Sequence, residues 1–250
     1  MLKSIIFYTL IIALTPSQVL ATAPELVTGP PQLRIRIPET SIFDLIDAVR
    51  GGIPAEVDRV VAKLPEQGLS VDSPCAYGET ALTAAATEGM FDMLSYLHLF
   101  HGASADACCS DGKSPLVCVI QVYRDDCHQK VASFLIEKSK DLTLQRCHSF
   151  DRTPIFYSIE KEGSWITRAL IKKDRRLTSL PDRDGVTPLI YAAALGHLQD
   201  VMLLIASGAF RKAVTTNGHN AYDYALSEYH KEKDLEKKEV FTQIMELVKP

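Results

Sequence analysis

The 250-residue chain lacks the short signatures of common enzyme classes. It has no Gly-x-Ser-x-Gly, no His-Glu-x-x-His, no Gly-rich phosphate loop and no dinucleotide fingerprint. Seven histidines are scattered, and the Asp-Arg-Asp at 182–184 falls where carboxylates act as turn formers. The sequence therefore predicts no enzyme, no catalytic residues and no cofactor. It also lacks a basic surplus: 27 Lys and Arg stand against 31 Asp and Glu, a formal charge of −4 with pI near 6.0. Neutralising a phosphate backbone needs the opposite balance, which argues against a nucleic-acid partner. Long apolar runs are missing as well. The longest, Ile5–Leu14, spans about half of the roughly 20 residues that cross a bilayer. Asparagine occurs only at Asn217 and Asn220, and neither opens an Asn-x-Ser/Thr sequon.

The short apolar run does fit something else. Met1-Leu2-Lys3 is a small positive region, Ile5–Leu14 an apolar one, and Val19-Leu20-Ala21-Thr22-Ala23 supplies small residues for cleavage. This is the layout of a secretory signal peptide over residues 1–21, with cleavage expected after Ala21. Residues 22–40 hold four of the 13 prolines and read as a Pro-rich linker. Periplasmic or secreted placement follows as an expectation, with no membrane association once the leader is removed.

What the rest of the chain has is a period. Gly78, Gly112, Asp151, Gly185 and Gly218 are separated by 34, 39, 34 and 33 residues. Each opens a similar string: Gly78-Glu79-Thr80-Ala81-Leu82, Gly112-Lys113-Ser114-Pro115-Leu116, Asp151-Arg152-Thr153-Pro154-Ile155 and Gly185-Val186-Thr187-Pro188-Leu189. Small or apolar runs follow (Thr83-Ala84-Ala85-Ala86; Tyr191-Ala192-Ala193-Ala194), then a Gly turn and a second apolar run such as Val201-Met202-Leu203-Leu204. Apolar residues at this spacing predict two short helices per unit. Thr80, Ser114, Thr153 and Thr187 are placed as N-caps, with Pro at the first helical position in three of the four. An Ala-rich first helix is expected where a helix is packed on both sides, because larger side chains would force neighbours apart.

These strings resemble ankyrin repeats, β-turn plus helix-pair units of roughly 33 residues. The resemblance covers approximately residues 41–250. It implies an all-α repeat solenoid of about six units: 41–77, 78–111, 112–150, 151–184, 185–217 and 218–250. The terminal units are atypical, as ends of such arrays are. The first lacks the Thr-Pro-Leu start. The last is read with its second helix at Glu239–Leu247, behind a charged insert at 230–238. The family's His after Thr-Pro-Leu is replaced by Thr83, Val117, Phe156 and Ile190, so less regular turns are expected. The long third interval places an inter-helix insertion at 123–128.

By resemblance, such arrays bind a protein through the concave face and the turn tips. Mapped here, the candidate contact residues are Tyr77, Glu79, Lys113, Phe150, Arg152, Arg183, Val186 and Leu195. The expected role is a monomeric, non-catalytic interaction scaffold in the bacterial periplasm, an immunity or stress-protection factor being one form of it. Alternatives are a secreted effector and a redox-responsive protein using the cysteine cluster. All six cysteines lie in the mature chain. Cys75 and Cys109, like Cys108 and Cys147, recur one repeat apart, near 10 Å, too far to bridge. One or two disulfides are expected among Cys108, Cys109, Cys127 and Cys147. The Cys127-His128 and Cys147-His148 doublets lack the Cys-x-x-Cys spacing of a zinc site, and no metal is expected.

Overall fold

The computed structural model describes residues 41–146, 150–162 and 164–249. The leader and linker assigned to residues 1–40, and Cys147, lie outside them. Among the described residues there is no β-strand, and beside two short 3-10 helices there are twelve α-helices. They come in pairs: α1 (Ile42–Gly51) with α2 (Pro54–Val61), α3 (Ala81–Thr87) with α4 (Phe91–His101), α5 (Pro115–Val122) with α6 (Asp126–Lys138), α7 (Pro154–Glu160) with α8 (Ser164–Lys173), α9 (Pro188–Leu195) with α10 (Leu198–Ala206), and α11 (Ala221–Lys231) with α12 (Leu235–Val248). The odd-numbered helices stack in chain order as an inner row and the even-numbered ones as an outer row. Inner helices approach each other more closely than outer ones do, so the array curves around its inner row.

Composition explains that closeness. In α3, Ala81, Leu82, Thr83, Ala84, Ala85 and Ala86 are all buried, with α1 on one side and α5 on the other. No single pair can enclose its own apolar face, so each buries against its neighbours, and one core runs from Ile42 to Val248. The expected caps form at three of the four inner helices. Thr80 Oγ1 accepts from Thr83 N–H (3.2 Å), Ser114 Oγ from Val117 N–H (3.3 Å) and Thr187 Oγ1 from Ile190 N–H (3.4 Å). Thr153 occupies the same place without that bond, and its hydroxyl is buried without a partner.

The turns are regular, contrary to expectation. Cys75 N–H donates to Glu79 O, Cys109 to Lys113 O, Asp182 to Val186 O and Thr215 to His219 O, all at 2.7–2.9 Å. Successive turns are joined by Ser110 N–H to Gly78 O, Arg183 N–H to Phe150 O and Thr216 N–H to Asp184 O, each 3.0 Å. Backbone bonds thus do the tying that the family's missing His was expected to do. The anchor residue is left-handed in every turn. Asp151 adopts φ 58° where the others have Gly, held by Arg146, whose Nη1 donates to the Asp151 carbonyl (3.0 Å) and carboxylate (2.6 Å).

Two expectations about boundaries are corrected. The stretch 123–128 is not an inter-helix insertion, because only 123–125 connect α5 to α6. Asp125 accepts from Cys127 and His128 N–H groups (3.0 and 3.1 Å) and starts α6 there; the extra residues extend that helix to 13 and lengthen the loop after it. Similarly, α12 begins at Leu235, not Glu239, because Asp234 caps it through Glu236 N–H (2.9 Å).

Candidate protein-binding face

The predicted contact residues gather at two places along the inner row. The first joins the opening units. Tyr77, Glu79 and Lys113 line one cleft of about 380 Å³ with Thr83, Thr87, Cys109, Asp111, Cys118 and Gln121. Tyr77 is 78% exposed, and its ring meets Phe43 of α1 edge-on at 5.4 Å. Glu79 is held from the same helix: Arg50 Nη2 lies 3.1 Å from Glu79 Oε2, and Arg50 Nε lies 4.0 Å from Glu88. Exposed pairs of this kind contribute less than about 1 kcal/mol, so they orient the carboxylates without strongly fixing the fold. Among the described residues no cation lies over the Tyr77 ring.

The second place joins the fourth and fifth units. Phe150, 51% exposed, and Arg152 occupy the turn positions that Tyr77 and Glu79 occupy in the second unit. Here the guanidinium lies over three rings, 5.0 Å from the Phe150 centroid, 5.5 Å from Phe156 and 4.5 Å from Tyr191. Its Nε donates to Asp182 Oδ2 (3.1 Å), a carboxylate only 1% exposed. The other Asp182 oxygen accepts from Asp184 and Val186 N–H groups, both 3.0 Å. Burial raises the Tyr191 hydroxyl above its ordinary range, with Arg152 opposing. Arg152 is thus half-buried and committed within the fold. Val186 is half-buried in the adjoining turn, Arg183 is exposed beside it, and Leu195 is exposed at the end of α9.

Sequence reasoning missed Phe43, Arg50, Tyr191 and Asp182. Phe43, Asp47 and Arg50 are all exposed and recur at helical spacing along α1, a legible outward stripe. Tyr191 and Asp182 gave no such signal, because their roles depend on a neighbouring repeat.

Of the four cysteines expected to form disulfides, Cys147 lies outside the described residues. Among the described residues, Cys75, Cys109, Cys118 and Cys127 are free thiols. Cys108 and Cys109 precede α5, whereas Cys127 lies beyond its far end in the first turn of α6. Eight residues of helix span about 12 Å, well past the roughly 7 Å reach of a disulfide. Cys118 is a wall of the concave cleft, not fully core, and burial pushes its thiol up to about 12. At neutral pH it is protonated and a poor nucleophile. His128 is likewise structural: Nδ1 lies 2.6 Å from Asp125 and Nε2 3.2 Å from the Thr87 carbonyl across the repeat junction. Among the described residues no three His, Cys, Asp or Glu side chains gather to hold an ion.

Residues 127–216 match the model of the ankyrin repeats family, in three copies. That segment carries ankyrin repeats. Solved structures agree on the fold. A chain from the complex of a predatory endopeptidase of Bdellovibrio bacteriovorus with an immunity protein superposes at TM-score 0.63 and 20% identity, over 82% of this chain and 99% of that one. The ankyrin repeat protein EF0377 gives 0.64 and 18%, over 83% and 96%. An ankyrin repeat domain from Acinetobacter baumannii AYE gives 0.63 and 18%, over 82% and 96%. No curated protein matches the sequence significantly. Ankyrin repeats are protein-binding modules.

Proposed function

We propose that this ankyrin-repeat protein is a non-catalytic scaffold of the bacterial periplasm that binds a partner protein through its inner face and turn tips, as an immunity or stress-protection factor. One observation carries the reading: Tyr77, Phe150 and Leu195, three large apolar side chains, stand exposed along one face of a stack whose core is already filled. Large apolar and aromatic side chains held in solvent on a rigid frame are the residue types that anchor interfaces. The leader-like residues 1–21 support the compartment, and the fold shared with the endopeptidase–immunity protein complex supports the immunity form of the role.

The test is affinity capture with the tagged chain from periplasmic and secreted fractions, read by mass spectrometry. It is run beside a variant with Tyr77, Phe150 and Leu195 changed to Ala. Arg152 is left intact because its loss would damage the fold. A stoichiometric partner recovered from the periplasm and lost in the variant, with an unchanged melting temperature, is the expected result. A partner retained by the variant would place binding elsewhere and contradict the reading.

A further inference from the structure

The two clusters on the inner face are the same turn positions filled with opposite charge. One residue before the anchor stands an aromatic, Tyr77 or Phe150; one after it stands Glu79 or Arg152. In the fourth unit the aromatic ring, its neighbours Phe156 and Tyr191, and the buried Asp182 receive a guanidinium from the chain itself. The second unit has the aromatic ring and a carboxylate, but among the described residues no cation over the ring. The cleft beside it is open and lined by Tyr77, Glu79, Thr83, Thr87, Asp111 and Gln121.

The field around that cleft has the matching sign. Residues 41–111 carry eleven Asp and Glu against three Lys and Arg, a net −8, while residues 112–250 carry 18 against 21, a net +3. Of the three cations in the first region, Arg50 is already engaged by Glu79 and Glu88. A face of one sign around an aromatic platform favours and steers a partner of the other sign.

We propose that the Tyr77–Glu79 cleft receives an Arg or Lys side chain from a basic segment of the partner protein, supplying at the second unit the cation that Arg152 supplies at the fourth. This rests on the inner-face reading above. Lys113, at the third-unit edge of the cleft, is the one opposing charge among its lining residues and sets a sharp test.

The probe is a fluorescein-labelled Gly/Ser peptide with two arginines, compared with its citrulline counterpart, which keeps the shape and removes the charge. Both are titrated by anisotropy onto the full chain. Saturable binding of the arginine peptide is expected, about fivefold or more tighter than the citrulline peptide and weakened with rising salt. Tyr77→Ala should weaken it about fivefold, and Phe150→Ala should leave it within about twofold. Lys113→Glu should strengthen it at least about twofold, an outcome that misfolding cannot imitate. Equal binding of the two peptides, indifference to Tyr77→Ala, or no saturable binding of the arginine peptide would overturn the proposal. Loss of the captured partner in the inner-face variant alongside any of these would leave the inner-face reading standing and remove only the basic-segment assignment.

Discussion

The second and fourth units place an aromatic side chain at the same point of the same turn, yet the two are used differently. At the fourth, Phe150 packs with an arginine that the fold has already spent on Tyr191, Phe156 and Asp182. At the second, Tyr77 leans on Phe43 and stands largely in solvent. A repeat scaffold holds equivalent positions in equivalent geometry, so the difference lies in the side chains: Glu79 stands against Arg152, and Thr83, Cys118 and Cys109 stand where Phe156, Tyr191 and Asp182 engage the guanidinium. On the proposed reading it separates a position that stabilises the array from one that receives the partner.

The sharpest way to break the comparison is to remove the charged residue at each place. Arg152→Ala leaves Asp182 buried with its cation gone and should cost about 3 kcal/mol or more in urea unfolding. Glu79→Ala, part of an exposed pair, should cost less than about 1 kcal/mol. Similar losses at both would mean that both sites are structural.

The turn anchors come next. Gly78 has φ 84°, and a Cβ there would stand 2.6 Å from the Ser110 Cβ, so Gly78→Ala combines strain with a clash and should cost about 2 kcal/mol. Gly218 has φ 79° but open space around it, so Gly218→Ala should cost only the roughly 1 kcal/mol of left-handed strain. Equilibrium unfolding of the two variants checks the ordering.

A smaller effect contrasts two buried carboxylates of the later units. Asp182 has Arg152, whereas Asp200 is buried with Oδ1 unpartnered, and burial raises its pKa above the ordinary carboxylate range. A raised folded-state pKa means that Asp200 contributes stability when protonated, fully in acid, and loses it as pH rises through that value. Asp200→Asn should therefore raise the melting temperature by about 2–4 °C at pH 7 and lose that advantage toward pH 4. A constant shift across pH would contradict the assignment. The least effect on stability is expected at the exposed ring: Tyr77→Ala should change unfolding by no more than about 0.5 kcal/mol.

Much of the architecture is written in the sequence as spacing. The intervals between Gly78, Gly112, Asp151, Gly185 and Gly218 mark the turns because only residues tolerant of positive φ serve there, and Thr80, Ser114 and Thr187 mark the helix starts by their hydroxyls. The candidate site was half legible. Tyr77 and Phe150 could be placed on the turn tips, but nothing in one repeat tells that Arg152 reaches across to the ring of the next, since that contact depends on stacking. The 123–128 stretch and α12 were misread for a related reason. Asp125 and Asp234 look like ordinary charged residues in a polar stretch, and only their local geometry makes them caps. Among the described cysteines, equivalence within a repeat said which pairs are too far apart, and α5 separates Cys108 and Cys109 from Cys127.

The most direct test of the central claim is site-specific photocrosslinking in the intact chain. A benzophenone amino acid is placed at position 77 on the inner face or at position 100, where Phe100 is exposed on the outer helix α4. Crosslinking of the captured partner from position 77 and not from position 100 is the predicted result. Crosslinking from position 100 with none from position 77 would contradict it and move the binding surface to the outer row.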